Sequence, residues 1–310
     1  MIAITGATGF LGGHVTDILC AGGAKLRALV RDTAKATHLA AQGIELVAGD
    51  LNDANALDLL LKDCVCIIHI AGAIKARTPA LLLQINGGGT DNLVAACARV
   101  NPDIRLLHIS SITAREPQLS PYANSKAASE KAALAHKGPV VIIRPNAVYG
   151  PGDRETLQVF EVASGRFHPV INQPDARIAM IHAQDAAKAI TALAQSTAPL
   201  GLFEISDPRT DGYSWQEITK TAVAAVGGRY RPIPVTPMLL KIAAIFSELA
   251  GKFQKNPPIF TQGKVREILH GNWSVQATKQ IPAALWQAEI QLDEGFEQTV
   301  CWYRQQGWLR

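Results

Sequence analysis

Ile2-Ala3-Ile4-Thr5-Gly6-Ala7-Thr8-Gly9-Phe10-Leu11-Gly12-Gly13 is an apolar run that breaks into closely spaced glycines and resumes as a helical pattern through about Cys20. The order is strand, tight turn, helix, which is the first half of a βαβ unit. Gly6 permits the turn, Gly9 lets backbone approach a pyrophosphate, and Gly12 lets helix pack on strand. A phosphate would sit at the helix N-terminus, where N–H groups and the helix dipole favour an anion. A Gly-x-x-Gly-x-x-Gly is common in turns. The strand before it and the helix after it make it a predicted dinucleotide site.

The rest of the chain suits such a unit. Its 310 residues fit one large or two interlocked domains, and 48% apolar with 18% charged residues is ordinary globular composition. A formal charge of +4 is small and scattered, with no basic tract, which argues against a nucleic-acid partner. The first strand begins at the second residue, so no signal peptide is expected, and no apolar run is long enough to span a bilayer. Five cysteines (20, 64, 66, 97 and 301) lie mostly in apolar runs. Cys64 and Cys66 have no zinc-type spacing, so no metal site is expected. Buried thiols in a reducing cytoplasm are the expectation.

Lys25–Val30 reads as the second strand, with Arg31 and Asp32 at its tip, where a dinucleotide-binding fold meets the adenosine ribose. A carboxylate there suits NAD, and an arginine pairs with the 2′-phosphate of NADP. Arg31 comes first and Lys35 follows one turn on, so NADP is favoured over NAD. Asp32 is then a cap for the next helix or the ribose ligand of NAD. The third strand, Ile44–Ala48, runs into Asp50, which would accept from the adenine amino group or simply form a turn before a helix capped by Asn52 or Asp53. Val65–Ile70 reads as a strand buried on both faces, and Ala71-Gly72-Ala73 after it are small enough to lie against a cofactor. A long helix is expected from about Pro79 to Val100. Gly87, Gly88 and Gly89 inside it each cost about 1 kcal/mol against alanine, which points to close approach of something. Asn86 just before them is a candidate polar group beneath the active site.

The fifth strand, Ile104–Ile109, ends in Ser110-Ser111, and Pro121-Tyr122-Ala123-Asn124-Ser125-Lys126 opens the next helix. Tyr122 and Lys126 are four apart and share a helical face. A free phenol, with a pKa of about 10, transfers protons poorly at neutral pH. A neighbouring ammonium favours phenolate and pulls that value down, which makes the tyrosine a usable acid or base. A serine hydroxyl at the end of the adjacent strand would hold the same substrate oxygen.

With these residues in place, the chain resembles the extended short-chain dehydrogenase/reductase family. The likeness rests on Thr5–Gly12, Asp50-Leu51, Asn86 with Gly89-Thr90-Asp91-Asn92-Leu93, and the Tyr122–Lys126 pair. It also rests on Arg144-Pro145, Val148-Tyr149-Gly150-Pro151-Gly152-Asp153, and His182 with Asp185, and so runs over about residues 1 to 205. The resemblance implies an α/β, Rossmann-type doubly wound parallel sheet carrying NAD(P), with a smaller α/β C-terminal substrate domain. It implies that Tyr122 is the general acid/base and that Lys126 bonds the nicotinamide ribose and tunes it. Ser111 is the third catalytic candidate. Ile112 departs from the family pattern and leaves Thr113 as the fallback. Cofactor contacts are implied for Gly6, Thr8, Gly9, Phe10 and Leu11, and for Arg31, Asp50 and Leu51. They are also implied for Ala71, Gly72, Ala73, Asn86 and Ile109, with Tyr122, Lys126, Pro145 and Val148 nearer the nicotinamide.

Val140–Ile143 supplies a sixth strand, and beyond Gly150 proline, glycine and isolated polar residues break the pattern. The expected division places 1–150 and about 178–206 in the nucleotide domain, with about 151–177 and 207–310 in the substrate domain. Asp185 reads as a helix cap, and a strand near Leu202–Ile205 should return to the main sheet. Met238–Leu249 is amphipathic, with Lys241, Ser247 and Glu248 interrupting an apolar face. Core or cleft lining is expected there rather than a membrane surface, because its polar side has no excess of lysine or arginine.

Within the family, dehydrogenases and reductases consume cofactor, whereas epimerases and dehydratases return the hydride and keep it. Arg177-Ile178-Ala179-Met180-Ile181-His182 lacks the Arg-Asp pair usual in nucleotide-sugar members. The 232–275 region resembles 3β-hydroxysteroid dehydrogenases and dihydroflavonol-type reductases. The expected activity is therefore hydride transfer between NAD(P) and a secondary alcohol or ketone of a largely apolar small molecule. The alternatives are a nucleotide-sugar epimerase or dehydratase, and a non-catalytic NADP sensor. A homodimer through helices about 79–100 and 121–136 is the family default.

Overall fold

The computed structural model describes residues 1–197, 199–251 and 260–310. Alternating apolar runs and helical patterns build β1 (Ile2–Thr5), α1 (Phe10–Ala21), β2 (Leu26–Val30), α2 (Thr37–Ala41), β3 (Glu45–Ala48), α3 (Ala54–Leu61) and β4 (Cys66–His69). Next come α4 (Pro79–Leu83), a π-helical turn at Gln84–Gly88, α5 (Gly89–Val100), β5 (Arg105–Ile109), α6 (Pro121–Ala133) and β6 (Val140–Pro145). The chain continues through β7 (Ala147–Tyr149), α7 (Leu157–Ala163), β8 (His168–Ile171), β9 (Arg177–Ile178), β10 (Met180–His182), α8 (Ala183–Gln195) and β11 (Gly201–Ile205). It ends with α9 (Trp215–Ala225), β12 (Pro232–Val235), α10 (Pro237–Gly251), α11 (Gln262–Ile268), β13 (Asn272–Trp273) and α12 (Leu292–Gln305).

Two compact units result. The first is Met1–Pro145 with Ala187–Glu204 and Ile281–Trp286; the second is Asn146–Ala186 with Ile205–Gln280 and Gln287–Arg310. These bounds differ from the expected division. The switch comes at Pro145, residues 178–186 go with the second unit, and 281–286 return to the first. The reason is strand pairing: β10 lies against β7, and β9 lies against β13, rather than in the main sheet.

The main sheet has the order β11-β6-β5-β4-β1-β2-β3, and the registered pairs among β1 to β6 are parallel. This is the expected Rossmann-type α/β fold, and the strand order reverses between β1 and β4. β2, β4 and β5 are buried along their whole length, as parallel strands covered on both faces are. Leu57, Leu60 and Leu61 of α3 and Leu93, Ala96 and Cys97 of α5 pack against Ile67 and Leu106. Each buried leucine there contributes about 1.5–3 kcal/mol. Arg27, a charge inside β2, donates to the carbonyls of Leu59 and Lys62 at the end of α3 and pairs with Glu45 at 2.8 Å. It thereby satisfies acceptors that a helix C-terminus leaves open.

The single helix expected over 79–100 is interrupted. At the π turn, Gly87 faces the Ala128 methyl, and a Cβ on Gly89 would come within 2.8 Å of Leu51 Cδ1. Of the three glycines only Gly89 is crowded, by Leu51; a Cβ on Gly87 would meet Ala128 at an ordinary 3.4 Å, and Gly88 has no close neighbour.

The second unit is held by an aromatic column. Tyr149, Phe296, Phe160 and Tyr303 meet edge to face in succession, with ring centroids 4.9, 4.9 and 5.7 Å apart. Asp185 is not the helix cap expected of it. It sits inside the first turn of α8, where its Oδ2 accepts from the N–H groups of Glu289 and Ile290, both at 2.8 Å. Core packing, one of the two roles expected for 238–249, is not what α10 does with most of its large apolar side chains: Met238, Leu239, Ile242, Ile245, Phe246 and Leu249 are exposed. Residues 252–259, part of the 232–275 comparison, lie outside the described residues.

Candidate active site

The glycine turn is built as its spacing required. Gly6 has φ +79°, and a Cβ on it would come within 2.7 Å of Ala71 N, so β1 and the segment after β4 touch through bare backbone. A Cβ on Gly12 would collide with the Gly6 carbonyl oxygen. Gly9 is the extended N-cap of α1 and supplies no side-chain cap to the first-turn N–H groups. Thr8 and Gly9 are exposed at the rim, and Phe10 and Leu11 are half-buried. This cradle fits a pyrophosphate.

At the tip of β2, Arg31 is exposed, while Asp32 is occupied. Its Oδ1 caps the following 3-10 turn through Ala34 N (3.0 Å) and its Oδ2 pairs with Lys35 at 3.2 Å. Asp50 Oδ1 accepts from Asn52 N at 2.7 Å, the turn role, and Asp53 caps α3 through Ala56 N. One cavity is lined by Arg31, Gly49, Asp50, Asn52, Asp53 and Asn55. Asn52 and Asn55 were not foreseen as lining; only the packing of β2 beside β3 brings them to Arg31. Leu51 packs against Gly89.

Asn86 is the hub of the next layer. Its Oδ1 accepts from Ala73 N at 2.7 Å, while its Nδ2 donates to Ala73 O at 2.9 Å and to Ser125 Oγ at 2.8 Å. One amide side chain thus pins the Ala71-Gly72-Ala73 segment to α6. A Cβ on Gly72 would sit 3.0 Å from Asn86 Oδ1 and 4.0 Å from Lys126 Nζ. Thr5 reinforces the same segment: its Oγ1 accepts from Ala71 N and bonds His69 Nδ1 at 2.7 Å. Burial pushes the His69 imidazole down to about 3, with Lys126 adding to the effect, so the ring is neutral. Thr5 and His69 lie inside strands whose apolar pattern gave no functional signal.

Ser120 caps α6 through Ala123 N at 2.9 Å, and Pro121 stands at its first position. Tyr122 is therefore in the first turn and half-buried, one turn before the buried Lys126. Lys126 Nζ donates to the Ile109 carbonyl at 2.8 Å. Burial draws its ammonium down to about 8, and Glu130 opposes that fall. Glu130 accepts from Ser110 Oγ and binds Arg144 bidentately at 2.8 and 2.7 Å, which fixes α6 to β5 and β6. Ser111 and its fallback are bonded to each other: Thr113 Oγ1 and Thr113 N donate to Ser111 Oγ at 3.0 and 3.3 Å. With its acceptor capacity used by Thr113, the Ser111 hydroxyl keeps its own proton to donate. Pro145 ends β6 in the first unit, whereas Val148 lies on β7 in the second.

The chain is 40% identical over 310 residues to a ceramide reductase of Caulobacter vibrioides, covering 100% of this chain and 96% of that protein. The solved structure of gox2253 superimposes with a TM-score of 0.79 at 20% identity, covering 100% of this chain and 99% of the other. The UDP-glucose 4-epimerase of Thermus thermophilus in complex with NAD superimposes at 0.69 with 19% identity, covering 98% of each chain. At those identities the two structures show the shared fold. The profile of the NAD dependent epimerase/dehydratase family matches residues 2–205, about two thirds of the chain. The chain belongs to the NAD dependent epimerase/dehydratase family.

Proposed function

We propose that the protein is an NADPH-dependent reductase of a ketone on a ceramide-class lipid, a long-chain amide with a polar head. The observation that carries this reading is the end-to-end similarity to a ceramide reductase. The NAD(P)-dependent oxidoreductase class itself follows from the family. In this reading the first unit holds the nucleotide and the second holds the substrate.

The residues present fit NAD(P). The glycine turn and the α1 N-terminus would hold the pyrophosphate, Arg31 the 2′-phosphate, and Lys126 the nicotinamide ribose. NADPH is preferred because Arg31 is exposed at the adenosine end, whereas the Asp32 carboxylate is engaged by the N–H groups of Ala34 and Lys35 and by the Lys35 ammonium. When bound, the nicotinamide supplies the hydride. Ser111 donates to the ketone oxygen and holds it, and Thr113 orients Ser111. Tyr122 gives that oxygen its proton. The Lys126 ammonium lowers the cost of the phenolate left behind. Gly72 keeps the nearby backbone low, and Asn86 keeps it in place.

Free thiols at Cys20, Cys64, Cys66, Cys97 and Cys301 support a cytoplasmic location for this activity. A homodimer through α4, α5 and α6 would cover the exposed Leu81 and Leu83, and light scattering would show it.

The test is reduced-nicotinamide oxidation, NADPH beside NADH, against a ceramide ketone and against UDP- and TDP-sugars. Oxidation with the ketone, faster with NADPH, is expected. A converted sugar with no net oxidation would make the protein an epimerase or dehydratase, the reading that the family description and the epimerase-like fold keep in play.

A further inference from the structure

The apolar residues of α10 point the wrong way for a helix packed on its own protein. Met238, Leu239, Ile242, Ile245, Phe246 and Leu249 are all exposed, from 38% at Ile242 to 71% at Met238. At 100° per residue these six positions fall within an arc of about 120°. The opposite side carries the residues that face the protein. Ala244 is buried, Ser247 and Glu248 are half-buried, and Glu248 accepts from Gln262 N (2.8 Å) and Gln262 Nε2 (2.9 Å). The amphipathic pattern is inverted. Isolated exposed leucines are ordinary, but a contiguous stripe of six marks an interaction face.

The surroundings of the stripe select its partner. From 229 to 251 the sequence carries Arg229, Arg231 and Lys241 against Glu248 alone, three positive charges less one negative, or +2. Both arginines and Lys241 are exposed, and the lone acid is hydrogen-bonded to α11. Lys241 lies on the flank of the arc, where its stem can run along the apolar face while the ammonium reaches outward. β12, which leads into α10, exposes Ile233, and it pairs with β8, just after the exposed Phe167. The Arg166 guanidinium lies 5.4 Å from the Phe167 ring centre. Apolar and aromatic side chains bordered by arginine and lysine match the boundary between acyl chains and anionic headgroups. Fifteen residues make a helix of about 22 Å, too short to cross a bilayer and long enough to lie in its surface.

We infer that α10 is a docking face for an anionic lipid bilayer, on which the exposed stripe embeds and the flanking basic residues contact headgroups. The helix supplies only the apolar side, because its polar side is bonded to the protein. The inference deepens the lipid-substrate reading and rests on that reading only for its purpose, which is to bring the enzyme to a substrate that stays in the membrane.

The test is flotation of the purified full chain with vesicles of phosphatidylcholine, with and without phosphatidylglycerol. Binding is expected to the phosphatidylglycerol vesicles and to weaken as salt is raised. Met238→Ser/Phe246→Ser should lower that binding about tenfold or more, and Lys241→Glu should lower it on anionic vesicles while leaving the apolar stripe intact. Both variants should oxidise NADPH normally with a short-chain, soluble ketone and slowly with a long-chain ketone embedded in vesicles. Absence of wild-type binding, or binding unchanged in Met238→Ser/Phe246→Ser, overturns the inference. So does a wild-type dimer that Phe246→Ser dissociates without any vesicle binding, since the stripe would then join two copies. Vesicle binding with no ketone reduced upholds the docking face and removes the ceramide-ketone reading instead.

Discussion

Lys126 Nζ donates to the carbonyl oxygen of Ile109 across 2.8 Å, tying the Tyr122–Lys126 face of α6 to the last residue of β5. The ammonium is buried, and its pKa is drawn down to about 8 because burial disfavours charge more than Glu130 restores it. Below about pH 8 it is protonated and able to stabilise a Tyr122 phenolate. Ketone reduction is therefore expected to fall as pH rises through about 8. In Lys126→Arg the falling limb of kcat/KM should move to higher pH, or disappear if the guanidinium cannot be seated. An unmoved limb would assign it to another group.

The same shift has a stability consequence of opposite sense. Between about pH 8 and the ordinary lysine value of 10.5 the unfolded chain binds more protons at this position than the folded chain. The position therefore becomes less destabilising as pH rises across that window. Cys66 works the other way: burial raises it to about 12, so its contribution falls above the ordinary thiol value of 9.0. The difference between the wild type and Lys126→Met, measured by urea unfolding, cancels Cys66. It should move in favour of the wild type from pH 8 to 10.5.

Tyr122→Phe removes the proposed proton donor and leaves the helix face otherwise intact. Turnover should fall by about 10²–10⁴-fold, with nucleotide affinity retained when measured by fluorescence titration. Turnover within a few-fold of wild type would place the acid elsewhere.

Asn86→Ala leaves the Ala73 N–H and the Ser125 hydroxyl each without the partner it now has. A loss of about 1–3 kcal/mol in unfolding free energy is expected, with weaker nucleotide binding, because the 71–73 segment is no longer pinned. Asn86→Asp can accept from Ala73 N but cannot donate to Ala73 O, so calorimetry should place it between the two.

Arg31→Ser should raise the KM for NADPH by about 10-fold or more, the value of a charge-assisted hydrogen bond, and leave that for NADH nearly unchanged. Equal changes for both nucleotides would remove the 2′-phosphate role.

Where the chemistry is local, the sequence by itself determined it. Gly6, Gly9 and Gly12 need only their own turn, and the shared face of Tyr122 and Lys126 needs only helical geometry. Short apolar runs alternating with helical stretches likewise specified the parallel sheet. What only the tertiary structure decided depends on residues distant along the chain. Asn86 finds Ala73 and Ser125, which lie 13 and 39 positions away. Asp185 turns from its own helix to backbone 104 and 105 residues on. Gly89 meets Leu51, 38 positions earlier, at a distance that leaves no room for a side chain. In α10, periodicity announced an apolar face but not its direction. That direction was decided when Ala244, Ser247 and Glu248 became the side held by the protein. A repeat in the sequence defines which side chains share a face, and only the packing of other segments defines what that face meets.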